Sequence, residues 1–299
     1  MFDPLGPADY GRLKPYFAGR GYQLCPYSLA SMIIWAGCIY DAFFLEEDDK
    51  VWFAEHEQEK GGRRRLLLPV CRPFRMPTPA ELADGAARLG YREFRYVPQQ
   101  WLDSAGRGEA EKLFVVREED GFHDYIYERE ALASLGGRRY AKKRNLIAQF
   151  EKTYGASAAV GAMKGACLKS CLDLFDHWER SRGAAMDISK CERKAIANAL
   201  ASFRELEMSG VAVEIGGRLA GFAFGSRVND DTWALNFEKA DIAYKGLYQF
   251  LDREAARSVP ASYQFIDKEN DLGLAGLKKA KESYFPCRTV KSYTLKLKD

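Results

Sequence analysis

The sequence predicts an α/β protein with mixed sheets, built from two units that share one order of elements. Short apolar runs of strand character alternate with amphipathic runs opened by capping signals, and the same succession occurs before and after Gly155. Size agrees: 299 residues, 47% hydrophobic and 29% charged, can fill two ordinary cores and exclude disordered and fibrous classes.

In the first half a helix is expected near residues 27–35, then strands at 42–45, 50–56 and 65–70. Thr78 with Glu81 three positions later forms a capping-box signal, so a helix should span 79–89. A strand at 93–97, a helix near 99–104 and a strand at 112–117 follow. In the second half a helix at 188–208, capped by Asp187 or Ser189, precedes strands at 211–215 and 218–228 joined by the Gly216-Gly217 turn. An Asn-Asp-Asp turn leads to TWALNFEKA, then a helix at 247–257, a strand at 262–266, a helix at 272–282 and a terminal strand at 289–296. Equivalent elements keep a nearly constant spacing, as a tandem duplication would. The expected organisation is a first unit at 1–124, a basic helical linker at 125–155 and a second unit at 156–299 that carries the candidate site.

Lys+Arg 45 against Asp+Glu 42 leaves a net charge of +3, so local patches, not total charge, must identify an anionic partner. The seven cysteines, Cys25, Cys38, Cys71, Cys167, Cys171, Cys191 and Cys287, lack the paired short spacings of a zinc site. They read as reduced thiols, with Cys167 and Cys171 on one helix face. With only His56, His123 and His177, no histidine-based metal centre is expected. No signal peptide is read at the N-terminus. The apolar stretch 28–45 contains Asp41 and Gly37 and runs into EEDDK, so it reads as a buried helix turning into a strand. The expectation is a cytoplasmic protein without a transmembrane segment; the oligomeric state is left open.

Three segments carry chemistry. Between the halves, Arg138, Arg139, Lys142, Lys143 and Arg144 crowd beside Tyr140 and Phe150. Such a cluster either contacts phosphates of RNA, a nucleotide or a lipid headgroup, or forms a solvated helix between units. The other two are strand-to-helix junctions at 238–247 and 267–272, the places where α/β sheets commonly hold ligands.

The blocks YIYEREALASLGGRRYAKKRN, FEKADIAYKGLYQFLDREA and FIDKENDLGLAGLKKAKESYFP resemble the C-terminal domain of bacterial phosphatidylglycerol lysyltransferases and their soluble stand-alone relatives. The resemblance covers most of the chain and implies two tandem acyl-CoA N-acyltransferase folds of the GNAT type. In membrane-bound relatives this domain moves an amino acid from aminoacyl-tRNA to a lipid. The resemblance therefore implies a transfer architecture, with acyl-CoA or aminoacyl-tRNA as donor substrate and no tightly bound cofactor.

Read against that fold, the segment after the fourth strand, Asp241 to Leu247, holds one glycine where a pyrophosphate cradle needs several. Lys245 is expected to meet phosphate as a point charge, and Gly246 either lines the cradle or packs at the helix start. Glu238, at a strand end, is the candidate base or amine-binding group, or else a structural ion-pair partner of Lys239 or of the helix that follows. Asp241 would share its side if the strand persists. Asp271 reads as an N-cap. Asn270, Lys278 and Lys281 are expected to face donor phosphate. Tyr284 is placed like the tyrosine that supplies the leaving-group proton in GNAT enzymes, or is a core tyrosine beside Phe285. Two readings follow: an acyl- or aminoacyltransferase acting on an amine or hydroxyl of a small molecule or lipid headgroup, with tRNA as one possible partner, or a non-catalytic module binding RNA or a phosphorylated ligand through the linker.

Overall fold

A computed structural model describes residues 1–19, 21–38, 40–59, 61–164, 166–181 and 187–299. The first half runs β1 (Asp3–Pro4), α1 (Tyr10–Leu13), α2 (Leu29–Trp35), β2 (Tyr40–Glu47), β3 (Lys50–Glu57), β4 (Arg64–Leu66) and β5 (Val70–Cys71). It continues with α3 (Pro79–Leu89), β6 (Glu93–Pro98), α4 (Gln99–Ala105), α5 (Arg107–Leu113) and β7 (Phe114–Glu118). The middle comprises β8 (Asp124–Glu128), α6 (Arg129–Ser134), α7 (Ala141–Tyr154), β9 (Ala158–Ala162), α8 (Ala166–Ser181) and α9 (Asp187–Ala201). Last come β10 (Ser209–Ile215), β11 (Arg218–Arg227), β12 (Thr232–Ala240), α10 (Leu247–Ser258), β13 (Phe265–Asp267), α11 (Ala275–Glu282), β14 (Arg288–Val290) and β15 (Ser292–Leu297).

Local chemistry explains the best-defined elements. Thr78 Oγ1 accepts from Glu81 N at 3.2 Å while Glu81 Oε2 accepts from Thr78 N at 2.7 Å, so both orphan donors at the start of α3 are satisfied. Gly90, at φ 74°, ends the helix in the left-handed region. The Gly216-Gly217 turn, with both residues at positive φ, joins β10 to β11.

The strands form two sheets. One has the order β1-β2-β3-β4-β6-β15-β7, with β5 on β3; the other has the order β14-β8-β13-β12-β11-β10-β9. Pairing is antiparallel except for β4 with β6 and β12 with β13, each joined by a crossover helix, α3 or α10. Each sheet takes one strand from the other half: β15, at the end of the chain, lies between β6 and β7, and β8 lies between β13 and β14. The sheets therefore cross the expected divisions at 124 and 155, and Tyr125 to Glu128 of the expected linker form a strand.

The second sheet is covered on both faces. Phe222, Phe224 and Phe237 point into a core shared with α2, α8, α9 and the first sheet. Val213, Ala223, Leu235 and Leu251 belong to a second core with α6, α7 and α10. Each fully buried phenylalanine contributes about 1.5–3 kcal/mol of transfer free energy, which fixes the sheet between its helical layers.

Several expectations change. The strand expected at 65–70 is two short strands, β4 and β5, and the one expected at 289–296 is two strands that enter different sheets. The helix α5 displaces β7 to Phe114–Glu118, and α8 occupies a stretch for which no element was expected. The helix expected at 188–208 ends at Ala201; the side chains of its expected caps, Asp187 and Ser189, lie outside the described residues. Cys38 and Cys191 form a disulfide rather than two reduced thiols, linking the turn after α2 to α9. Cys25, Cys71, Cys167, Cys171 and Cys287 are free, and Cys171 Sγ donates to the Cys167 carbonyl along α8.

Candidate functional site

The site begins where two parallel strands part. β12 and β13 pair through Thr232–Phe265, Trp233–Ile266 and Ala234–Asp267, and there the ladder stops. β12 runs on beside β11 to Ala240, while the chain after β13 stays with β8: Lys268 N donates to Tyr125 O at 3.0 Å and Tyr125 N to Glu269 O at 3.2 Å. The register of β11 and β12 shifts between Phe224 and Ser226, where β12 carries one residue more than β11, beside the opening. It depends on Gly225, where a Cβ would stand 1.8 Å from the Ala234 carbonyl oxygen. Beyond Ala234 only side chains span the gap, one pair on each face: Asn236 to Glu269 at 2.9 Å, and Glu238 to Lys268 at 3.0 Å.

On the α10 face, Lys268 Nζ lies between Glu238 and Asp252, 2.7 Å from Asp252 Oδ2 and 4.9 Å above the Tyr284 ring. Burial opposes the Lys268 charge, but Asp252 and Glu238 outweigh it and hold the ammonium protonated well past its ordinary range. Burial, then Asp252, raises the Glu238 carboxyl. Burial, then the same two carboxylates, raises the Tyr284 phenol well above its usual value, so it keeps its proton at neutral pH. Lys143 Nζ caps this group, 3.7 Å over the Tyr284 ring and 2.7 Å from Ser283 Oγ, and burial lowers its pKa.

On the α2 face a buried polar network joins segments far apart in sequence. Asn236 Nδ2 donates to Ser31 Oγ at 2.8 Å and to Glu269 Oε1, and Asn236 Oδ1 accepts from Ser226 Oγ at 2.8 Å. Cys25 Sγ donates to the same Glu269 oxygen at 3.2 Å. Asp124 Oδ2 accepts from Cys25 N at 2.6 Å, and Asp267 Oδ1 from Glu269 N at 2.7 Å. Asp124 Oδ1 and Asp267 Oδ2 meet no donor, and both residues are fully buried. Burial raises Asp124 to about 7 and Asp267 well above the usual range; Asp124 adds to the rise of Asp267, and the hydrogen bond from Cys25 N opposes the rise of Asp124. Lys281 Nζ donates to the Lys268 carbonyl; burial lowers its pKa against the pull of Glu269.

The structure assembles some expected site residues and separates others. Glu238, Tyr284, Lys143 and Lys281 come together at the opening. Asp241 does not join Glu238, because β12 ends at Ala240; its Oδ1 accepts from Ala243 N at 2.9 Å and its Oδ2 lies 3.5 Å from His177 Nε2. Gly246, at φ 89°, is needed for packing: a Cβ there would stand 2.2 Å from the Leu146 carbonyl of α7. The N–H groups of Ala243, Tyr244 and Leu247 are satisfied within the turn, which leaves few donors for a pyrophosphate. Lys245 and Lys278 are exposed. Asn270 accepts from Leu272 N at 3.3 Å as a turn residue. Asp271 is not the N-cap of α11, a position held by Leu274; it accepts from Tyr125 Oη at 2.6 Å and Gly273 N at 2.8 Å.

The linker cations divide likewise. Arg144 Nη1 donates to the Leu135 and Gly137 carbonyls at 2.5 and 2.7 Å, and Arg139 lies 5.0 Å from the Tyr140 ring centre. Arg138 and Lys142 are exposed and make no ion pair among the described residues. Elsewhere Glu118, Asp120 and His123 place ligand atoms within 4.8 Å of one another, but Glu118 is already paired with Lys291 at 2.9 Å.

Sequence reasoning missed Cys25, Ser31, Asp124, Asn236 and Asp252, and assigned no role to Asp267, Lys268 or Glu269. One signal was available: Asn236 is a neutral polar residue within the apolar run TWALNF.

Two sheets, each with one parallel pair, a crossover helix and a splayed junction, define a tandem GNAT-like fold of transferase-like kind. The tandem GNAT protein of the clavulanic acid biosynthesis pathway shares it at a TM-score of 0.51 and 10% identity, over 99% of this chain and 98% of that one. The chain belongs to the family described as phosphatidylglycerol lysyltransferase, C-terminal, which it matches over residues 23–296. L-PGS from Bacillus licheniformis has the same fold at a TM-score of 0.61 and 12% identity, over 97% of this chain and 92% of that one. A conserved protein of unknown function from Bacteroides thetaiotaomicron VPI-5482 is similar at a TM-score of 0.88 and 27% identity, over 99% of both chains. An uncharacterized protein of Mycoplasmoides gallisepticum is 25% identical over 182 residues, 58% of this chain and 56% of its own length, so the match spans about half of that relative. No helix among the described residues is long and apolar enough to cross a membrane.

Proposed function

We propose that this protein transfers an acyl or aminoacyl group from aminoacyl-tRNA or acyl-CoA to an amine or hydroxyl acceptor. The observation that carries this reading is the opening between β12 and β13, lined on both faces by groups that hold or accept protons. The open edge of β12 offers backbone amides to an extended donor arm. Glu238 and Asp252 attract an ammonium group, a place Lys268 now fills, and Glu238 takes the proton of the attacking amine. Tyr284 keeps a proton for the leaving group.

The internally satisfied turn at Asp241 supports aminoacyl-tRNA over CoA, which restricts the reaction to the cytoplasm. Arg138, Lys142, Lys245 and Lys278 serve as its phosphate contacts, and the family supports a small-molecule or lipid-headgroup acceptor. The test incubates the protein with a radiolabelled charged tRNA pool or acetyl-CoA and follows label into acceptors. Glu238→Gln should lower turnover by about 10²–10⁴; unchanged turnover removes Glu238 from the chemistry. Salt-dependent tRNA binding without turnover from either donor would instead favour a binding module.

A further inference from the structure

The α2 face of the opening carries a constellation that the transfer reading leaves unused. We propose that Cys25 accepts the acyl group as a thioester before it passes to the acceptor, with Glu269 as its base. The inference rests on the opening being the donor site and deepens that reading into a two-step transfer.

The geometry is that of an activated nucleophile: a thiol within reach of a carboxylate that a third group orients. Cys25 Sγ is 3.2 Å from Glu269 Oε1, and Asn236 Nδ2 holds that oxygen at 2.9 Å. Among the described free thiols, Cys171 and Cys287 donate to backbone carbonyls, whereas Cys25 donates to a carboxylate.

Independent groups fix both members. Asp124 grips the Cys25 amide and Asp267 grips the Glu269 amide, and these two fully buried carboxyls each present a further oxygen with no donor. Glu269 sits at φ 60°, a conformation that costs a side-chain-bearing residue of order 1 kcal/mol and persists where surroundings enforce it. The Asn236–Glu269 bridge spans the parted strands, and the Cys25 thiol lies against its Glu269 oxygen.

The step balances. Sulfur adds to the donor carbonyl as its proton moves to Glu269; the carbonyl bond to the tRNA oxygen or CoA sulfur breaks, and Tyr284 gives that leaving atom its proton. The acceptor nitrogen or oxygen then attacks the thioester and Glu238 takes its proton; the Cys25 sulfur leaves with the proton held by Glu269, and the Glu238 proton restores Tyr284. Burial, then Glu269, Asp267 and Asp124, raise the Cys25 thiol, so its sulfur depends on Glu269 to take the proton during attack.

The experiment incubates the full chain separately with acetyl-CoA, p-nitrophenyl acetate and the radiolabelled charged tRNA pool. Acid quench, peptide mass spectrometry and neutral hydroxylamine, which cleaves thioesters and spares amides, then locate the acyl group. The expected result is a hydroxylamine-sensitive acyl group on Cys25, absent in Cys25→Ala and formed about 10²-fold more slowly in Glu269→Gln, which can keep the Asn236 hydrogen bond. Cys71, Cys167, Cys171 and Cys287 in the same digest are internal controls. Acylation confined to lysines or Cys287 overturns the proposal, as does a folded Cys25→Ala that retains transfer, and both leave the transferase reading standing. A Cys25 thioester that no acceptor discharges supports the relay and overturns the transfer reading. If Cys25→Ala melts early, the wild-type peptide map decides the question alone.

Discussion

The two parallel junctions of this molecule share a plan and differ in contents. Each follows a crossover helix, each continues into a residue at positive φ, Tyr96 at 55° and Glu269 at 60°, and each is flanked by the strand lent by the other half. In the first sheet, where β4 meets β6 through Leu66 and Phe94 alone, Arg95 lies 3.8 Å from Glu55 and 3.2 Å from Glu119. Its guanidinium stands 4.3 Å from the Tyr96 ring centre and 4.8 Å from that of Phe122. In the second sheet, five carboxyls from Asp124, Glu238, Asp252, Asp267 and Glu269 face three lysines, Lys143, Lys268 and Lys281. The first junction gathers two acids around one arginine; the second gathers five carboxyls around its lysines. That difference sets the second junction, the one proposed for transfer, apart from the first.

The largest test removes the central cation of each. Lys268→Met and Arg95→Met should each destabilise by about 3–5 kcal/mol in urea unfolding, because each leaves buried carboxylates unpaired. Only Lys268→Met should also alter transfer measured on folded protein. Loss of transfer in a folded Arg95→Met would break the comparison.

A smaller effect is expected at the disulfide, which ties α9 to the turn after α2 beside the second junction. Cys191→Ser opens a link between residues 153 positions apart and should cost about 2–4 kcal/mol, read as a lower unfolding midpoint that reductant reproduces in the wild type. An unchanged midpoint would show that α2 and α9 hold together by packing alone.

The smallest effect is a proton. Burial raises both Glu55 and Asp124 to about 7, so the folded chain retains protons that the unfolded chain releases in the ordinary carboxylate range. Their contribution is complete at low pH and is lost as pH rises through about 7. Unfolding measured between about pH 5 and pH 8 should therefore show stability falling with pH. Glu55→Gln and Asp124→Asn should each remove about one proton from that slope; a slope untouched by Asp124→Asn would mean that Asp124 takes up no proton on folding.

The sequence announces features whose causes are local. Thr78 and Glu81 declare α3, Gly216-Gly217 declares its hairpin, and the acid at the end of β12 marks Glu238, because capping, turn geometry and strand alternation act within a few residues. The repeated element order likewise reveals two units. What stays hidden is assembled over distance: Cys25 reaches Asp124 and Glu269, and Ser31 reaches Asn236, through the folding of the whole chain. The pairing of Cys38 with Cys191 is equally invisible to spacing. Glu55, Arg95 and Glu119 meet at the first junction for the same reason. Gly246 shows the reverse error: a glycine at a helix start suits a phosphate cradle, but here it admits the backbone of α7.

The placement of β8 and β15 bears on ancestry and on unfolding. Two copies of a single-unit ancestor that swapped their last strands would form a closed homodimer, and fusing the two genes would preserve that swap within one polypeptide. Neither half can then complete its sheet alone, so separately expressed halves should be insoluble until mixed, and the fused chain should unfold in one cooperative transition.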